Sequence, residues 1–183
     1  MKKQPTMKKL NLGCGKDVRE GWVNLDVVRN KGVDVVWDLE AFPYPFKDNE
    51  FDYVLMDMSL EHLSYPEKTL REIWRITKKD AVVEINVPHF SCWQTWGDIT
   101  HRRGFNHGSL NSFSSRHRDG NSLQLIQKEV FNIESKITFG KIKKAIGFER
   151  VFNLNNYARG FYEKNLSSIF PAENVKFMLT TIK

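Results

Sequence analysis

The chain lacks most of what would set it apart from an ordinary globular protein. Its 183 residues include two cysteines, Cys14 and Cys92, too few for a disulfide framework and without a pairing signature. A reducing compartment, the cytoplasm, is therefore the expected location. No apolar run approaches the ~18 residues of a membrane-spanning helix. The lysines of the opening MKKQPTMKKL lead into no apolar segment, so a secretory signal is not expected either. Repeats, low-complexity tracts and Pro/Gly-rich linkers are also missing. One domain over residues 1–183 is the expectation at this length.

Charge of one sign is scarce in the second half. Residues 1–100 hold 14 Lys/Arg against 16 Asp/Glu, whereas residues 101–183 hold 14 against 6, which places +8 of charge there against −2 in the first half. Such a balance suits an anionic partner, or equally a solvated basic surface.

Short apolar runs at Lys9–Leu12, Trp22–Val27, Val33–Trp37 and Phe51–Met56 read as strands, separated by polar turns and a proline-broken loop. In PEKTLREIWRITKKD, Leu70, Ile73, Trp74 and Thr77 share one helical face. Pro66 suits the first turn, and Lys78 and Lys79 the C-terminal end. Ala81–Val87 reads as a buried strand stopped by Pro88, Phe131–Phe139 as a strand, Tyr157–Ile169 as a helix and Val175–Ile182 as a last strand. Strands separated by crossovers predict an α/β fold with a parallel sheet. Between Pro88 and about residue 122 the texture turns His-, Arg- and aromatic-rich without period, as expected of a functional lid.

The first strand runs into LNLGCGKDVREGWVNLDV, with Gly13 and Gly15 placed for a sharp turn and Asp26 eleven residues after Gly15. A phosphate-binding P-loop needs Gly-Lys-Ser/Thr five residues after its first glycine, and GCGKDVREG does not supply it. A dinucleotide fingerprint needs a full helix and a later acid, while the spacing here admits about one helical turn. S-adenosyl-L-methionine has no pyrophosphate to neutralise, and the loop fits it better.

Here a resemblance emerges. KLNLGCG, VNLD and DVVWDLEAFPYPFKDNEFDYVLMDMSLEHL resemble class I S-adenosyl-L-methionine-dependent methyltransferases of the methyltransferase-domain type 11 group. VPHF…GDITHRRGF and IFPAENVKFML resemble a small branch of that group, so the likeness covers nearly the whole chain. It implies an α/β, Rossmann-like sheet, mostly parallel with an antiparallel last strand, and it implies that S-adenosyl-L-methionine is the cofactor and S-adenosyl-L-homocysteine the product. It implies that Gly13, Cys14 and Gly15 line the amino-acid and ribose side. Asp26 would accept from the ribose hydroxyls, Asp38 contact the adenine amino group, and Leu39 pack on the ring. Asp57 and Met58 would form the wall nearest the methyl, with His62 just beyond. Asn11 stands where the wider group has an acid, and Asp17 where it has a third glycine; the first change implies a weaker hold on the cofactor's ammonium.

The acceptor is less legible. A small polar molecule is expected, such as a sugar or sugar-phosphate hydroxyl. His89, Asp98 and His101 are the candidate catalytic residues: a histidine takes a proton near neutral pH and a nearby carboxylate orients it. Arg102 and Arg103 suit a phosphate or carboxylate grip, or simple solvation. The histidines at 89, 101, 107 and 117 lack compact zinc spacing, so no metal is expected. The amino-directed DNA methyltransferase motif and a Pro-Cys nucleophile are both missing, which disfavours nucleic acid. The open alternatives are RNA as partner through the basic half and a cofactor-binding protein without catalysis.

Overall fold

A computed structural model describes residues 7–114 and 131–183. Seven strands form one sheet in the order β3-β2-β1-β4-β5-β7-β6: β1 Lys9–Leu12, β2 Val23–Asp26, β3 Val35–Val36, β4 Phe51–Asp57, β5 Thr77–Pro88, β6 Phe131–Thr138 and β7 Asn174–Thr181. β7 runs antiparallel to both β5 and β6, and the other pairs are parallel. The architecture is the Rossmann-like α/β fold the sequence predicts, with β7 the reversed strand. Leu10, Leu12, Leu25, Val54, Met56, Val83, Ile85, Phe177 and Leu179 anchor its core.

Helix α1, Pro66–Ile76, buries Thr69, Leu70, Ile73 and Ile76. The Trp74 indole N–H donates to the carbonyl of Ile182 (2.7 Å) and ties the helix to the end of β7. The sequence favours helix through Lys79, yet β5 begins at Thr77. Thr77 is fully buried; its hydroxyl lies 2.7 Å from the Ile73 carbonyl and 3.0 Å from the Thr181 hydroxyl. Those bonds stop the helix and start the strand in one residue. Asp80, at φ 60°, marks the irregularity, and pairing with β4 shifts register between Phe51 and Tyr53.

Segment 89–114, the described part of the expected lid, is packed against the body of the domain. His89 pairs with Phe105 in an isolated bridge, and Phe105, Leu110 and Phe113 join the main core. Trp93–Gly97 forms the short helix α2 and Asn111–Phe113 a turn of 3-10 helix. Residues 115–122 of the expected lid lie outside the described residues. Two short helices unforeseen in the sequence, α3 (Lys141–Ala145) and α4 (Phe148–Phe152), precede α5, Asn156–Asn165. The Asn155 side chain caps α5 by accepting from the Ala158 N–H at 2.8 Å. Phe148, Phe152 and Leu166 pack on a second cluster of Ile137, Phe139, Tyr162 and Ala172. Among the described residues, no helix is long and apolar enough to cross a membrane.

Strand order reverses at β1, which pairs with β2 on one side and β4 on the other. In open α/β sheets the crevice outside the strands' carboxyl ends at such a point holds ligands. The glycine loop and the residues after β4 both lie there.

Candidate functional site

Leaving β1, the chain turns at Gly13 (φ +68°) and Gly15 (φ +51°), conformations that L side chains rarely adopt. Gly13 is also sterically committed: a Cβ there would stand 2.4 Å from Ser59 Oγ and 3.5 Å from Leu39 Cδ1. Three loops, after β1, β3 and β4, therefore meet at one backbone atom. A Cβ on Gly15 would meet nothing within 4 Å, so the loop is open on that side. The Asp26 carboxylate accepts from Gly15 N (2.8 Å) on one oxygen and from Val28 N (2.9 Å) on the other. Each oxygen keeps a lone pair for a hydroxyl.

The other expected cofactor residues fall around this loop with differing roles. Asn11 is buried, and its amide donates to the Asp17 carbonyl at 2.7 Å, so it builds the loop from behind. The Cys14 thiol is buried, and burial together with Asp26 raises its pKa; it is a small filler. Asp38 is exposed, one oxygen accepting from Glu40 N at 2.8 Å, and Leu39 is buried. Asp57 accepts from the Asn86 amide at 2.8 Å. Met58, a non-glycine at φ +47°, stays partly exposed at the end of β4.

Beyond Met58 the chain makes a turn of 3-10 helix, Leu60–His62, which borders a cleft of about 480 Å³. Met58, Glu61, His62, Pro88, Trp93, Gln94, Gly97, Asp98 and His101 line it. Trp93 is 77% exposed, an aromatic face offered to an incoming molecule. Segment 98–103 is clamped to the turn: Arg102 N donates to the Glu61 carbonyl (2.9 Å) and Arg102 Nε to the His62 carbonyl (2.9 Å). Arg103 donates to the carbonyls of Leu63 and Ser64. The paired arginines thus brace backbone.

Glu61 is 1% exposed, and neither carboxylate oxygen has a hydrogen-bond partner. Burial, and then the charges of Asp57 and Asp98, push its pKa up to about 7. A donor atom each from Glu61, His62 and His101 lie within 4.8 Å of one another, and the imidazoles meet edge to face at 4.8 Å between centroids. Asp98 accepts from both the N–H and the hydroxyl of Thr100 (2.8 and 2.6 Å), which lower its pKa. With that hydroxyl proton committed, His62 Nδ1, 2.9 Å away, donates to the Thr100 oxygen. His101 Nδ1 donates to the Thr95 carbonyl at 3.2 Å. In the neutral form of either ring the Nε2 lone pair is then the free one.

Asp98 and His101 come together in a turn closed by His101 N to Asp98 O (3.1 Å), with Asp98 Oδ2 3.8 Å from His101 Nε2. His89 is elsewhere: it is fully buried, with Nδ1 2.7 Å from the Ser91 hydroxyl and Nε2 3.3 Å from Glu163. His107 also binds Glu163, and His117 lies outside the described residues. Glu61 was missed in the sequence; its burial belongs to the tertiary structure, and LEHL carries no local sign of it. A larger cleft, about 710 Å³, opens at β6 among His107, Lys136, Asn153 and Arg159, and it includes no residue of the glycine loop.

Residues 14–85 match the model of a methyltransferase domain family. Among solved structures, a SAM-dependent methyltransferase from Archaeoglobus fulgidus is similar at 16% identity and TM-score 0.61, over 96% of this chain and 86% of that one. A possible histamine N-methyltransferase from Thermotoga maritima is similar at 18% identity and TM-score 0.57, over 98% and 84%. Phosphoethanolamine N-methyltransferase 2 of Haemonchus contortus, in complex with S-adenosyl-L-methionine, is similar at 17% identity and TM-score 0.57, over 96% of this chain and 48% of that one. No curated protein matches the sequence significantly.

Proposed function

We propose that this chain is a class I S-adenosyl-L-methionine-dependent methyltransferase, a reading supported by its fold and by the domain match over residues 14–85, and that it methylates a hydroxyl of a small polar acceptor seated between Trp93 and the Glu61–His62–His101 cluster. The observation that carries the reading is the adjacency of two unlike surfaces. An open glycine loop with a carboxylate beneath it is joined, through the Gly13–Ser59 contact, to a cleft holding two imidazole lone pairs.

The residues fit the cofactor. Gly15 leaves room above the loop, and the Asp26 carboxylate keeps lone pairs suited to two ribose hydroxyls. Asp38 and Leu39 serve the adenine, and Asp57 and Met58 border the methyl. When bound, S-adenosyl-L-methionine supplies a methyl group activated by a positively charged sulfur.

The protein's larger contribution is alignment of acceptor and methyl, which is worth ~7–11 kcal/mol in favourable cases. A general base adds roughly 10²–10⁴-fold where a hydroxyl must lose its proton. His101 is the base in this reading: its Nδ1–H is fixed by the Thr95 carbonyl, and Nε2 receives the proton near the Asp98 carboxylate. With Arg102 and Arg103 engaged by carbonyls, a neutral sugar-like hydroxyl suits the cleft better than a phosphate or a nucleic acid.

The test is direct. Calorimetric titration of ligand-stripped protein with S-adenosyl-L-methionine and S-adenosyl-L-homocysteine should give saturable one-to-one binding. Transfer of labelled methyl to a panel of sugars, sugar phosphates and RNA then identifies the acceptor. Binding without transfer to any acceptor would favour a cofactor-binding protein without catalysis; no binding of either compound at millimolar concentration removes the reading.

A further inference from the structure

We infer that Glu61, His62 and His101 form a binding site for one divalent transition-metal ion of the zinc class. The first support is the donor set. One atom from each residue lies within 4.8 Å of the others, and two imidazole nitrogens with one carboxylate oxygen are ligands that suit zinc and its first-row neighbours rather than magnesium or calcium.

The second support is the carboxylate. Glu61 is buried with both oxygens unpartnered, whereas buried carboxylates are normally paired, hydrogen-bonded or bound to metal. Among the described residues no cation reaches it: the neighbouring Arg102 and Arg103 make their hydrogen bonds to backbone carbonyls. A bound cation supplies the missing partner.

The third support is the shell around the ligands. Metal-binding histidines characteristically donate the second ring N–H to a carbonyl, carboxylate or similar acceptor, which fixes ring and tautomer. His101 Nδ1 meets the Thr95 carbonyl at 3.2 Å, and His62 Nδ1 meets the Thr100 hydroxyl at 2.9 Å, itself bound to Asp98. Both Nε2 atoms are left for the ion. The clamp through Arg102 holds together two ligand-bearing segments 39 residues apart in sequence.

Ligand atoms on a tetrahedral zinc with bonds of ~2.0–2.1 Å stand about 3.4 Å apart. The trio must close by roughly 1.4 Å, within reach of side-chain torsions. Three protein ligands leave a fourth position, the arrangement of catalytic rather than structural zinc. Asp98 Oδ2, 3.8 Å from His101 Nε2, or an acceptor oxygen can fill it. With an ion on Nε2, His101 is a ligand instead of the base: an acceptor hydroxyl in the fourth position would be acidified by the metal and lose its proton to solvent, so the inference rests on the reading of the same cleft and changes how the hydroxyl is activated there. Metal binding nevertheless stands or falls without methyl transfer.

The experiment is calorimetric titration of the chelator-treated full chain with Zn²⁺ against a competing chelator, with Co²⁺ visible absorption as a second readout. One ion per chain is expected. Affinity should fall at least tenfold in Glu61→Gln, His62→Ala and His101→Ala, with loss of the Co²⁺ bands, and should be unchanged in His107→Gln. If Glu61→Gln fails to fold, the half-buried His62 and His101 decide. Absent stoichiometric binding, or binding indifferent to all the cluster variants that fold, overturns the site. S-adenosyl-L-methionine titration of the same metal-free protein separates the two ideas: cofactor binding without zinc binding removes the metal site and leaves the methyltransferase reading standing.

Discussion

His107 Nδ1 donates to Glu163 Oε2 across 2.6 Å, and the His107 backbone N–H donates to the other oxygen of the same carboxylate at 2.8 Å. Helix α5 is thereby fastened to segment 105–110, with His89 3.3 Å from the same group. Burial works to raise the Glu163 pKa, but the hydrogen bonds from His107 and His89 outweigh it and hold the carboxyl at about 2.

A carboxyl depressed in this way stabilises the fold fully above its unfolded value near 4.3 and loses the contribution as pH falls toward 2. Glu163→Gln should therefore cost on the order of 2 kcal/mol at pH 7. Denaturant melts of wild type and variant should converge as pH drops below about 4. A difference that persists unchanged to pH 2 would assign the effect to packing.

Asp26→Ala should weaken S-adenosyl-L-methionine binding at least tenfold, since it removes the ribose acceptor and releases the N–H groups of Gly15 and Val28 together. Calorimetry checks this, and near-unchanged affinity would sink the ribose assignment.

Gly13→Ala and Gly15→Ala should differ. At Gly13 the added Cβ meets Ser59 Oγ at 2.4 Å in a positive-φ conformation, so a loss of about 1–3 kcal/mol is expected. At Gly15 the Cβ meets nothing within 4 Å. That variant should melt closer to wild type yet bind the cofactor worse. Equal melting losses would contradict the contact.

His101→Ala should reduce methyl transfer by roughly 10²–10⁴-fold with little change in cofactor affinity. His89→Asn should act instead on stability, because His89 is buried against Ser91 and Glu163. Melting temperatures and turnover on the identified acceptor separate the two histidines, and a large turnover loss confined to His89→Asn would reverse the assignment.

Legibility followed sequence distance. The turn after β1 was readable because Gly13, Gly15 and Asp26 are near neighbours whose placement depends on backbone conformation and strand ends. The reversal of β7 was legible through the family resemblance alone, since a helix between β6 and β7 would by itself suggest a parallel crossover. On the acceptor side, His89 and His101 look alike as residues, and tertiary packing buries one and leaves the other beside a cleft. Glu61 looks like the surface face of a short turn until Arg102, 41 positions later, binds its carbonyl. The start of β5 escaped notice because side-chain bonds at Thr77 override a good helical pattern. The short helices α3 and α4 offer too few residues for a period to declare itself.

The contact between Gly13 and Ser59 carries a consequence for which residues the two positions admit together. Ser59 immediately precedes the turn bearing Glu61 and His62, and its hydroxyl lies 3.3 Å from the Gly13 carbonyl. The space a side chain would need at position 13 is already filled by the hydroxyl of position 59. Neither position can therefore grow on its own, and a chain that enlarged one would have to shrink or move the other.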